Sequence, residues 1–240
     1  MRRSTIETPV TLFMRLHASQ LVLSPTDLAA FLSCRHRTGL DLAVAQGELA
    51  PPAWRDPLGQ AFRERGLAHE RAYVEWLRGQ GLQVVDLSGL DPAAAEVHTR
   101  EAMRAGADAV YQAVLVGDGW RGYADVLRRV EAASALGGWS YEVHDTKLAR
   151  ETRGGSVLQL CLYAHLLEAL QGVLPEYGYI VSPGSEEAPA AFRIKDYAAF
   201  FRQSQQAFEQ VMADDGEVAT YPHPVTHCET CRWQSPCDQR

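Results

Sequence analysis

The chain has 240 residues, 46% hydrophobic and 22% charged, which fits a globular protein with a full core and excludes a disordered one. It has no run of about eighteen apolar residues, which excludes a transmembrane helix. Arg2 and Arg3 precede a segment broken by Thr11 and Arg15, a poor secretory leader, so a cytoplasmic protein is expected. The net charge of −7 runs against a general nucleic-acid binder, which needs Lys and Arg for phosphates, but an acidic metal site shares that sign.

Residues 1–22 are weakly patterned, with room for a short strand or an arm. Ser24-Pro25-Thr26-Asp27 starts a helix, with a serine cap, proline in the first turn and an acid three residues on. Leu28, Phe31 and Leu32 give it an apolar stripe, and Cys34 falls at its end before the basic group Arg35-His36-Arg37. Pro51, Pro52 and Pro57 mark a loop. A second helix is expected from Leu58 to Arg78, with Phe62, His69, Tyr73, Trp76 and Leu77 near one face. On that face His69 reads as a satisfied core histidine.

A short strand is expected over Leu82–Leu87 and a helix over Pro92–Arg104. Ala109–Val116, the turn Gly117-Asp118-Gly119 and Trp120–Val130 read as a hairpin, and Trp139–Leu148 as the next strand. Gly154-Gly155 leads into an apolar helix to Gln171, followed by a strand over Tyr177–Val181, an amphipathic helix near Tyr197–Met212 and a cysteine-rich tail. This order implies an α/β fold with a mixed sheet flanked by helices. The expected organisation is one domain over 1–240: a helical part at 24–105, a core at 106–185, and a helix with the cysteine tail at 186–240.

The chemistry concentrates on two strands and a helix. Side chains alternate along a strand, so Asp145 and Lys147 in Asp145-Thr146-Lys147 share one side and Glu142 faces away. Gly122-Tyr123-Ala124-Asp125 adds an acid on the preceding strand, and Gln159 and Tyr163 share a helix face. Phosphodiester hydrolysis needs an activated water and neutralised charge, which Mg²⁺ or Mn²⁺ held by carboxylates supplies. Asp125 and Asp145 are the candidate ligands with the Thr146 carbonyl, and Lys147 would steady the water and the developing charge. Arg121, Arg128, Arg129, Arg150 and Arg153 surround these positions in sequence. For any one of these charges a solvated face of a helix or turn reads equally well.

Gly122-x2-Asp125, Asp145-x-Lys147 and Gln159-x3-Tyr163, in this order and spacing, resemble the RecB-like branch of the PD-(D/E)XK nuclease superfamily. The resemblance implies a restriction-endonuclease-like sheet and a metal-dependent deoxyribonuclease, exonucleolytic on single-stranded DNA, in repair, recombination or CRISPR-like DNA processing. It makes His69, in Gly66-Leu67-Ala68-His69-Glu70, a metal ligand, and gives Gln159 and Tyr163 roles in positioning DNA and the site. Ala124 departs from the proline that many members place before the first acid, a backbone feature and not a ligand. Cys34 with Cys228-x2-Cys231-x5-Cys237 is similar to the split four-cysteine [4Fe-4S] site of certain RecB-like nucleases, among them the CRISPR-associated adaptation nuclease. Some of these carry a helicase region, and this chain has no Gly-x4-Gly-Lys-Ser/Thr phosphate loop. Zinc held by the cysteines with His223 or His227 stays open, as does a redox-active Cys-x2-Cys. Cys161, on the apolar helix, reads as a core residue. The rival function is a non-catalytic DNA-binding or assembly module of a helicase–nuclease complex.

Overall fold

The computed structural model describes residues 14–17, 20–52, 57–149, 154–213 and 220–239. A two-stranded antiparallel ribbon, β1 (Arg15–His17) and β2 (Gln20–Val22), leads into α1 (Pro25–Ser33). The capping box is complete: Asp27 N–H donates to Ser24 Oγ at 3.3 Å, and Ser24 N–H donates to Asp27 Oδ2 at 2.9 Å. Cys34 ends α1 and also caps the next helix, α2 (Arg35–Ala45), accepting from Arg37 N–H on Sγ at 3.4 Å. The sequence reading missed α2 because its first residues carry no apolar stripe.

The chain continues through α3 (Pro57–Gly79), β3 (Val84–Asp86) and α4 (Pro92–Ala105). Asp91 caps α4, accepting from Ala93 and Ala94 N–H, and the left-handed Gly106 ends it. Then come β4 (Ala109–Gly117), β5 (Trp120–Val130), β6 (Ser140–Thr146), α5 (Gly154–Gln171), β7 (Tyr177–Val181), β8 (Ala190–Arg193) and α6 (Ile194–Ala213). The tail holds a 3₁₀ turn at Thr226–Thr230 and the short α7 (Gln234–Asp238). β8 went unforeseen because it is a mostly exposed edge strand without an apolar pattern. Among the described residues no helix is long and apolar enough to cross a membrane.

The six strands lie in chain order, β3-β4-β5-β6-β7-β8. β4, β5 and β6 form an antiparallel meander, β3 is parallel to β4, and β7 returns parallel to β6 through α5. The sheet therefore draws β3 from before residue 106 and β8 from beyond 185. A parallel return needs a crossover helix, and α5 supplies it. It packs on β6, with α1 and α6 against its other sides. Its Leu160, Leu162, Leu166 and Leu167 are at most 1% exposed, so truncating any one to alanine should cost about 2–5 kcal/mol. A second, smaller core lies under α3, where Tyr73, Val74 and Leu77 meet Tyr111, Val126 and Val181. Helices thus flank both faces of the mixed sheet. Phe62, placed by sequence on the inward face of α3, is instead 52% exposed.

Candidate active site and cysteine cavity

The two acids meet where the β5–β6 ladder opens. Pairing between these strands ends at Val126↔His144. One residue further, Asp125 takes over the ladder's role: its Oδ2 accepts from Thr146 N–H at 2.7 Å and from Thr146 Oγ1 at 2.8 Å. Both donors use the same oxygen, which leaves Oδ1 open among the described residues. Asp145 is 2% exposed. Lys147 Nζ forms an ion pair with its Oδ2 at 2.5 Å.

The electrostatics follow from this crowding. Burial raises the Asp145 carboxyl to about 6, with Lys147 pulling it down and Asp125 pushing it up. Burial alone would lower Lys147, but Asp145, Asp125 and Glu70 together hold its ammonium above the ordinary value. Glu70 belongs to the same group, and the sequence reading left it out. Burial and then Asp125 raise its carboxyl to about 7, while Gln112 and Lys147 oppose them. Its position directly after His69 was the only available signal.

Gln112 marks a local inversion of the sheet. The β4–β5 register is continuous from Ala109↔Arg128 to Gly117↔Trp120, except that Gln112 and Asp125 do not pair. Gln112 has φ +54°, in the left-handed region, at a cost of about 1–2 kcal/mol for a non-glycine residue. In a regular strand Gly122 and Val126 would point the same way. Here Gly122 lies against Tyr163 of α5, whereas Val126 joins Tyr73 of α3. The alternation therefore flips at Asp125, opposite the strained glutamine.

The remaining expected site residues surround this point. His69, 9% exposed, lies 2.9 Å through Nε2 from the Val181 carbonyl, which also accepts from Lys147 N–H at 3.0 Å. That bond makes Nε2 the protonated nitrogen and leaves Nδ1 as the lone-pair side. Tyr163 is buried and donates its hydroxyl to the Tyr123 carbonyl at 2.8 Å. A Cβ on Gly122 would stand 2.6 Å from Tyr163 Cε1, so this glycine allows the ring its close approach. Gln159 is half-buried one turn earlier on α5. Glu142 faces away, as expected, with Oε1 accepting from Tyr177 N–H at 3.0 Å. The basic group does not gather as a whole: Arg129 is committed to the Gly106 carbonyl and Glu131, and Arg150 and Arg153 lie outside the described residues.

Cys34, Cys228, Cys231 and Cys237 line one cavity of about 100 Å³ together with His36, His223 and His227. Burial raises the Cys237 thiol above its ordinary value, and the other three cysteines add to that. Burial also raises Cys231. Cys161 lies apart in the main core, 1% exposed, with burial pushing its thiol to about 11. The tail is held to α2 by Asp41, 3% exposed, which sequence reading also missed. Asp41 accepts from Arg37 Nε at 3.3 Å, from Arg232 Nη2 at 2.6 Å and from Trp233 Nε1 at 2.5 Å. His227 Nε2 lies 2.5 Å from Arg37 Nη1, which occupies that nitrogen. Among the described residues no three His, Cys, Asp or Glu side chains converge to metal-ligand distances in either place.

No protein-family model matches the chain, and no curated protein matches it. Among solved structures, that of SSO0001 is similar over 90% of this chain and 85% of that chain, at 15% identity and a TM-score of 0.42.

Proposed function

We propose that the chain is a Mg²⁺- or Mn²⁺-dependent deoxyribonuclease of the RecB-like PD-(D/E)XK type, exonucleolytic on single-stranded DNA, with a [4Fe-4S] cluster closing its tail. The observation that carries this reading is the opening of the β5–β6 ladder, where Asp125 has one oxygen pinned by Thr146 and the other open. The buried Asp145 carboxylate, paired with Lys147, supports it. Hard oxygen donors of this kind suit a small divalent cation.

His69, Asp125, Asp145 and the Thr146 carbonyl would hold the ion. His69 fits because a ligating imidazole commonly donates its other N–H to a carbonyl, as Nε2 does to Val181. A divalent ion there supplies charge neutralisation on the scissile phosphate and a more acidic water. Lys147 keeps its proton at neutral pH and places positive charge beside Asp145, where negative charge develops on the phosphate. Tyr163, anchored on the Tyr123 carbonyl, and Gln159 form the α5 wall against which a strand of DNA would be positioned.

Cys34, Cys228, Cys231 and Cys237 fit an iron–sulfur cluster as an all-thiolate donor set around one cavity. A Cys₄ zinc site has the same donors. Zinc through His227 is disfavoured because Arg37 already engages its Nε2. Either group would act as a clamp between the first helices and the tail.

The test is digestion of end-labelled single-stranded DNA with Mn²⁺, using anaerobically prepared protein beside its Asp125→Ala variant. Cleavage by the wild type alone is expected, and the label end gives the polarity. DNA bound but uncut by both, with iron present, would overturn the enzyme in favour of a non-catalytic binding module.

A further inference from the structure

We propose that Gln112 is the positioning residue of the acid site, holding Glu70 as a third carboxylate through its amide and redirecting Asp125 through its backbone. The inference rests on the divalent-ion reading and adds two residues to it. A left-handed glutamine in mid-strand opposes both strand geometry and the preference of L-residues, and glycine or asparagine would adopt that conformation with less strain. What glutamine adds is reach: its Nε2 donates to Glu70 Oε2 at 2.8 Å.

The Tyr111 hydroxyl lies 3.4 Å from the same oxygen. Both protein donors therefore go to Oε2, and Glu70 Oε1 stays open among the described residues. Asp125 shows the same pattern, with Oδ2 doubly hydrogen-bonded and Oδ1 open. A carboxylate pinned by one oxygen is oriented in advance to offer the other to a cation. Asp125, Lys147 and Asp145 all act on Glu70 through space, which ties it to this cluster. The strain sits where it has structural consequences, since the strand alternation flips at the unpaired Gln112–Asp125 position. The residue thus sets two of the three carboxylates, one by side chain and one by backbone.

The test uses the full chain and reads Mn²⁺ affinity from the free-ion electron paramagnetic resonance signal, beside the Tm of the metal-free protein. Gln112→Gly accepts the left-handed backbone but has no amide. It should keep its Tm within about 2 °C and bind Mn²⁺ about tenfold more weakly. Glu70→Gln should lose a similar factor. The double variant should bind no more weakly than Glu70→Gln alone, because Gln112 acts through Glu70. Wild-type Mn²⁺ affinity in Gln112→Gly, or losses that add in the double variant, would overturn the proposal. If Asp145→Ala loses Mn²⁺ while Glu70→Gln retains it, this proposal falls and the divalent-ion reading stands. A wild-type protein that binds no Mn²⁺ overturns both.

Discussion

The acid site and the cysteine cavity are assembled in different ways. Asp125 and Thr146 are 21 residues apart in sequence and sit on adjacent strands of one meander, so hairpin register brings them together. Asp41 and Arg232 are 191 residues apart and meet only when the tail docks on α2. The first site is supported by a sheet packed on both faces. The second hangs on a few directed polar contacts around one buried carboxylate. A site built within a sheet tolerates local strain such as Gln112, whereas a docked tail depends on each of its anchors. Under the proposed reading, a metal clamp at the cavity would act where closing a long loop removes most chain entropy.

The sharpest way to break the comparison is Asp41→Ala. It strips the buried acceptor from Arg37, Arg232 and Trp233 and should cost about 3–5 kcal/mol in tail docking. Limited proteolysis should then cut the tail early while the sheet stays resistant; an undigested tail would show that other contacts hold it. Gly122→Ala strikes the sheet side. Its Cβ would fall 2.6 Å from Tyr163, and the forced shift should cost about 1–3 kcal/mol in urea unfolding.

A pH series separates the two regions next. Glu70 and Asp145 titrate in the folded protein at about 7 and about 6, above their ordinary values, so the folded state holds those protons more tightly than the unfolded chain. Their contribution is full below about pH 4 and is lost as pH rises through 6 and 7. The Tm of the metal-free protein should fall by about 3–6 °C from pH 5 to pH 8. Saturating Mn²⁺ should oppose that fall, and a flat profile would show that the acids are not buried together. In the metal-free protein the smallest effect on stability is expected for Cys34→Ser. Serine is the better helix cap, so α2 survives in the metal-free protein, while bound iron is lost. Normal iron content would show that the tail cysteines recruit a different fourth ligand.

Much of the fold was legible because its signals are local. The Ser24 capping box, the Asp118-Gly119 turn and the alternation along β6 each depend on residues within one turn or strand. The same locality made Asp145 and Lys147 readable as neighbours on one side, and they are an ion pair. The element α2 escaped because its helix depends on a cysteine cap and on packing against α1. Glu70 escaped because its partner, Gln112, lies 42 residues away on a different element. Gln112 carried no signal at all, since a left-handed residue in a strand contradicts its own local propensity.

By itself, then, the sequence determined the order of strands and helices apart from α2 and β8, several caps and turns, and the spacing of the two acids and the lysine. Those follow from backbone periodicity and short-range hydrogen bonds. Only the tertiary structure decided that His69 meets the Val181 carbonyl, that Glu70 meets Gln112, that the alternation flips at Asp125 and that Asp41 anchors the tail. Each of these pairs groups far apart in the chain, where burial and unsatisfied hydrogen-bonding groups, not local propensity, select the partner.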